Sequence, residues 1–155
     1  MNKKYTQQIP IAWHHVRDAR KLVQEALADY GVSVRDAAIM TMSELIENAM
    51  KHGDSMPRMP GASFTFTVTD EAVCIEVSNG IESDAGLAGL RACLDAMAKA
   101  PDKEALYLGR LQQILEAPTG GSQLGIYRIG FEGGFDLSCA YDDQVVTLTA
   151  KRALR

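Results

Sequence analysis

Glu44, Asn48, Lys51 and His52, followed at once by Gly53, are the residues of this chain whose types and spacing could do chemistry. Glu44 and Asn48 stand four apart and Lys51 three further on, so a helix would stack a carboxylate, an amide and a cation along one side. Ile39, Met42, Leu45, Ile46, Ala49 and Met50 recur at three- and four-residue steps, which predicts that helix and points one face of it inward. An asparagine inside a helix is uneconomical, because its amide competes with the backbone for hydrogen bonds, unless the amide has a task. Taken alone, the same pattern also fits a solvated helix face ending in a glycine cap. The rest of the chain has to decide between the two.

The elements that must position these residues follow from the hydrophobic pattern. A first strand is expected over 5–11, with Pro10 tolerated only at an edge or strand end. A helix follows over 13–30, with Val16, Ala19, Leu22, Val23, Ala26 and Leu27 inward and Gly31 ending it. Ser33 opens the next helix, with Asp36 in a weak capping-box position, and that helix runs to His52. Residues 54–61 are turn-rich. Two alternating strands come next, with Phe64, Phe66 and Val68 inward in one and Val73, Ile75 and Val77 in the other, joined tightly by residues 69–72. Asn79-Gly80 closes the second strand. Helices are expected over 86–100 and 102–116, a flexible loop over 118–121 and a short helix over 122–131. A final hairpin pairs 135–141 with 144–150 around Asp142-Asp143. This order predicts an α+β chain, a two-layer sandwich whose helices cover one face of a mainly antiparallel sheet.

Length and composition bound the function. At 155 residues the chain fits a single domain over 1–155. Its 46% apolar and 23% charged residues are those of an ordinary globular protein. A net charge of −4 with a pI near 5.3 argues against a nucleic-acid binder. No stretch reaches bilayer length and no signal-peptide pattern opens the chain, so a cytoplasmic protein without membrane attachment is expected. Cys74, Cys93 and Cys139 lack metal-ligand spacing and suit a reducing compartment.

The motif from Glu44 to Gly53, after two helices and before a strand hairpin, resembles the first signature of the ATPase superfamily that holds histidine-kinase catalytic domains, MutL and the type II topoisomerases (GHKL). The nearest likeness is to small bacterial anti-sigma factors that are also serine kinases. The resemblance implies a Bergerat-type fold with a mixed, mainly antiparallel sheet. It implies that Glu44 is the catalytic acid positioning the attacking group, that Asn48 is the Mg²⁺ ligand, and that Lys51 and His52 lie near the phosphates of ATP. A second box, Val77-Ser78-Asn79-Gly80-Ile81-Glu82, stands where an Asp-x-Gly-x-Gly-like turn is expected. A third, Gly120-Gly121-Ser122-Gln123-Leu124-Gly125-Ile126, stands where a glycine loop feeds a helix. Such a loop suits phosphate, because backbone N–H groups and the helix dipole face the anion.

The departures fall at the purine end. The family's adenine-reading Asp aligns with Ser78, a later glycine with Glu82, a third-box glycine with Gln123, and a strand threonine that helps hold the purine with Val145. The resemblance leaves Asn79 as the candidate to take over the adenine contact. Lost base-edge partners can cost a factor of about 10⁴ or more in discrimination. The segment 81–119 is lid-like but carries two leucine-rich helices, which must bury their apolar faces on the site or on a partner. Two readings follow from the resemblance. One is an ATP–Mg²⁺-dependent anti-sigma factor and serine kinase; the other is a non-catalytic pseudo-ATPase that keeps only a protein-docking surface. Both imply a protein partner, a sigma factor or a small antagonist, and homodimerisation through the first strand and helix. A sensor histidine kinase fragment is disfavoured: His14-His15 open a helix, but nothing resembles a phosphoacceptor hairpin.

Overall fold

A computed structural model describes residues 3–9, 14–84, 87–116 and 124–154. The order is β1 (Lys3–Ile9), α1 (His14–Ala26), α2 (Val32–His52), β2 (Ala62–Val68), β3 (Ala72–Gly80), α3 (Leu87–Lys99), α4 (Lys103–Glu116), α5 (Leu124–Phe131), β4 (Asp136–Asp142) and β5 (Val145–Ala153). The five strands form one sheet in the order β1-β2-β3-β5-β4. Among the described residues every strand pairing is antiparallel. The fold is α+β, a two-layer sandwich.

The layering follows from a period of two. In β2, Ala62, Phe64, Phe66 and Val68 are buried; in β3, Val73, Ile75, Val77 and Asn79; in β5, Val146, Leu148 and Ala150. Against them α2 buries Ala37, Ala38, Thr41, Met42, Leu45, Ile46 and Ala49. The alternate strand positions, Thr65, Thr67, Ser78, Thr147 and Thr149 among them, form a polar second face. Among the described residues, no helix is long and apolar enough to cross a membrane.

Several boundaries differ from the sequence expectation for local reasons. β1 lies two residues earlier than expected, over 3–9. α1 gives way to turns at Leu27, and Tyr30 N donates to Leu27 O. α2 starts at Val32, not Ser33. Its N-cap is Gly31, which makes no side-chain cap bond, and the Gly31 carbonyl accepts from Arg35 N at 3.1 Å. At α4 the expectation is met by a side chain, since Asp102 Oδ1 accepts from Ala105 N at 3.2 Å. The last hairpin turns one residue later than expected, at Asp143-Gln144, with φ of 46° and 63°. Two successive positive φ values give the twist that a two-residue hairpin needs.

Ile75 sits in central β3 between Phe66 of β2 and Ala150 of β5, with no exposed surface. Ile75→Ala is expected to cost about 2–5 kcal/mol through lost transfer energy and a residual cavity. Urea unfolding followed by circular dichroism checks this; a loss below about 1 kcal/mol would refute the placement.

Candidate functional site

Because α2 commits one face to the core, its polar residues emerge along an edge. Glu44 and Asn48 are half-buried there, while Lys51 and His52 are exposed at the end. Two cavities open along this edge.

The first, of about 330 Å³, is lined by Asn48, His52, Asp54, Asn79, Ile81, Ser83, Leu87, Leu90, Val146 and Leu148. That volume is at the lower end for small-molecule sites. Apolar side chains from β5 and α3, with Ile81, share its walls with an equal number of polar residues, of which Asn79 is only 5% exposed. Asn79 Nδ2 donates to Gly80 O at 3.0 Å, which leaves the amide oxygen as an acceptor. Gly53 allows the end of α2 to close on this amide: a Cβ there would lie 3.2 Å from Asn79 Nδ2 and 2.4 Å from Ala49 O.

The rim of this cavity is tied by backbone. Asp54 N donates to Gly80 O at 2.7 Å, and Asp54 Oδ2 accepts from Glu82 N at 2.7 Å. Gln144 O accepts from Ile81 N at 2.9 Å, while Gln144 Nε2 donates to Glu82 O at 2.9 Å. The start of the 81–119 segment is thus clipped both to the loop after α2 and to the β4–β5 turn. Gly80 has no room for a side chain, since a Cβ would meet Asp54 O and the Met56 side chain at 2.7 Å.

The second cavity, of about 110 Å³, is lined by Glu44, Glu47, Asn48, Lys51, His52, Gly125 and Ile126. Asn48 and His52 line both cavities, which therefore adjoin as one cleft with a half-apolar end and a polar end. At the polar end Glu44 is pushed above the usual carboxyl range, first by burial and then by Glu47 nearby. The guanidinium of Arg128 opposes this, its Nη1 3.4 Å from Glu44 Oε1. Lys51 Nζ is 3.9 Å from Glu47 Oε1 in an exposed pair that contributes little.

The fold therefore brings Glu44, Asn48, Lys51, His52, Asn79 and Gly125 to one cleft across about eighty residues of sequence. Ser78 requires a correction. It does not face the cleft; it lies on the polar second face, its hydroxyl 2.7 Å from that of Thr147. A one-residue shift along a strand exchanges faces, so the residue aimed into the cavity is Asn79. For the same reason Val146, the register partner of Asn79, lines the cavity in place of Val145. Gly80 backs the rim without lining the cavity, and Glu82 is exposed beyond it. Gly120, Gly121 and Gln123 lie outside the described residues, as does the side chain of Leu124, the first residue of α5. Sequence reasoning missed Asp54 and Arg128. Arg128 was detectable in principle, three residues beyond Gly125 and so on the same helix face.

A glutamate whose folded-state pKa is raised binds its proton more tightly in the folded than in the unfolded chain. Stability therefore falls as pH rises from the unfolded value, about 4.3, through the higher folded one. Glu44→Gln is expected to raise the melting temperature at pH 7, and the gain should disappear below about pH 4. Melting curves of the two proteins across this range check it; a lower melting temperature for the variant at pH 7 would refute the burial penalty.

In sequence comparisons no family model and no curated protein matches the chain. Among solved structures it is similar to a chain of the SiaB–SiaC complex from Pseudomonas aeruginosa, with 15% identity and a TM-score of 0.72. The likeness covers 98% of this chain and 89% of that one. At this identity the likeness shows the fold, from the first strand to the last.

Proposed function

We propose that the chain is a nucleotide-dependent regulator of a protein partner, built like the serine-kinase anti-sigma factors it resembles and binding ATP with Mg²⁺. The observation that carries this reading is Asn48. Its side chain borders both the half-apolar cavity that holds Asn79 and the polar cavity that holds Glu44 and Gly125, joining a base-sized end to a phosphate end. The Asn48 carboxamide has no hydrogen-bond partner among the described residues, which suits a helix-interior amide kept for a ligand. Among those residues no group of three or more His, Cys, Asp or Glu could hold a metal by protein ligands. One amide oxygen completed by phosphate oxygens and water fits Mg²⁺, which when bound would neutralise phosphate charge.

In this reading the Asn79 amide oxygen accepts from the exocyclic amine of adenine, with Val146, Leu148, Leu87 and Leu90 against the ring. Lys51 and His52 lie toward the phosphates, and Glu44 orients a serine hydroxyl on the partner. The similar solved chain belongs to a complex of two proteins, which supports a protein partner here, a sigma factor or a small antagonist. A second reading, a pseudo-ATPase that only docks proteins, is favoured by one observation: α5 lies directly over Glu44.

Calorimetry with ATP, with and without Mg²⁺, separates the two. Mg²⁺-dependent binding lost in Asn48→Ala is expected; no heat at millimolar ATP would overturn the nucleotide reading. Asn79→Ala is expected to weaken binding about tenfold, about the loss of one hydrogen bond, while Ser78→Ala leaves it unchanged. The reverse order would return base recognition to the sequence alignment.

A further inference from the structure

Arg128 belongs to none of the three motifs, yet it is placed on the carboxylate that matters most. Gly125 and Arg128 lie one turn apart on α5, and α5 packs on α2. The α5 backbone comes so close at Gly125 that a Cβ there would stand 2.1 Å from Glu44 Oε2. The other oxygen, Oε1, has Arg128 Nη1 at 3.4 Å. Glu44 is thus bracketed, one oxygen against a glycine and one against a guanidinium. Arg128 is itself fixed, because its Nε donates to the Glu132 carboxylate one turn further along α5. The planar guanidinium can serve two carboxylates from different edges, which an ammonium cannot do in the same way.

We propose that Arg128 is the positioning residue of Glu44, fixing the direction of its carboxylate at the polar end of the cleft. This rests on the nucleotide-dependent reading. There, the oxygen of an acceptor hydroxyl or water forms a bond to the γ-phosphorus of ATP while the bond from that phosphorus to the ADP oxygen breaks. The acceptor's proton passes to Glu44, and ADP leaves. A carboxylate free to rotate would meet that proton only part of the time. The titratable groups facing Glu44 are Glu47 and Lys51 on α2 and Arg128 on α5; those facing Arg128 are Glu132 on α5, Glu44 on α2 and the phenol of Tyr107 on α4. Lys51 is drawn to Glu47, so Arg128 is the cation set directly on the Glu44 carboxylate.

The test follows the Glu44 carboxyl carbon by ¹³C NMR titration of the full chain, assigned with Glu44→Gln, in wild type, Arg128→Gln and Arg128→Lys. Removing the cation should move the Glu44 midpoint to higher pH, and lysine should restore part of the shift. An unmoved midpoint in Arg128→Gln overturns the proposal, whatever the protein does with ATP. In parallel, hydrolysis of ATP–Mg²⁺ is measured with water standing in for the acceptor. Arg128→Gln should lower kcat about tenfold at pH 7, leave KM for ATP unchanged and shift the acidic limb of the pH profile upward. An equal loss at every pH that lysine does not restore would also overturn it, as a merely structural effect. Absence of ATP binding in the wild type, with the midpoint shift present, would instead sink the nucleotide reading.

Discussion

The cleft depends on how α2 lies against the middle of the sheet. Seven buried residues fix the helix's rotation about its axis: Ala37, Ala38, Thr41, Met42, Leu45, Ile46 and Ala49. Their counterparts are large and wholly buried, Phe64 and Phe66 on β2 and Ile75 on β3. Such a core tolerates little rotation, because interiors pack at near-crystalline density. Turning α2 by one residue, about 100°, would carry a polar side chain inward and an aliphatic one out. The edge positions of Glu44 and Asn48 are thus set by buried residues, all but Thr41 apolar, that line neither cavity.

The same constraint governs the other side of the cleft. β3 is sandwiched between β2 and β5, so its alternation is pinned on both flanks. Val73, Ile75 and Val77 must face α2, and Asn79 must then face it too. Placing an amide at the end of an otherwise aliphatic row costs desolvation unless it finds partners. Here it finds one in the Gly80 carbonyl. The glycines beside it allow this closeness: Gly53 lets α2 end against the amide, and Gly80 lets the following loop cross the strand end.

This explains what was legible in the sequence. Every helix and strand was foreseen, because long periodic segments such as 39–50 and 62–77 carry their own burial pattern. The helix start at Val32 and the turn at Asp143-Gln144 were each misplaced by one residue, where no strong cap or Asn-Gly pair marks the boundary. The placement of Ser78 on the opposite face has a physical reason. A motif alignment counts residues from a glycine, while the sheet counts from its buried valines, and the two disagree here by one. The buried alternation is visible in Val73, Ile75 and Val77, and continuing it by two residues reaches Asn79, the other candidate of the same box. Spacing could place Arg128 on the face of Gly125, but its contact with Glu44 was not legible, because it spans 84 residues of sequence.

Under the proposed function, the demands of folding and of chemistry pull apart at Glu44. Burial under α5 and the nearby Glu47 make the ionised carboxylate costly, and a protein selected for stability alone would place a neutral or apolar residue there. Burial also raises the basicity of a carboxylate, and a base works best when its pKa approaches the working pH. Carried too far, the same burial would leave it protonated and inert as a base. Arg128 opposes that drift, and it is held by a second acid, Glu132, so its charge is not spent wholly on Glu44. Under the proposed function, the glycine that brings α5 down and the arginine one turn later form a matched pair. One withdraws water from Glu44, and the other limits how far that withdrawal suppresses the charged form.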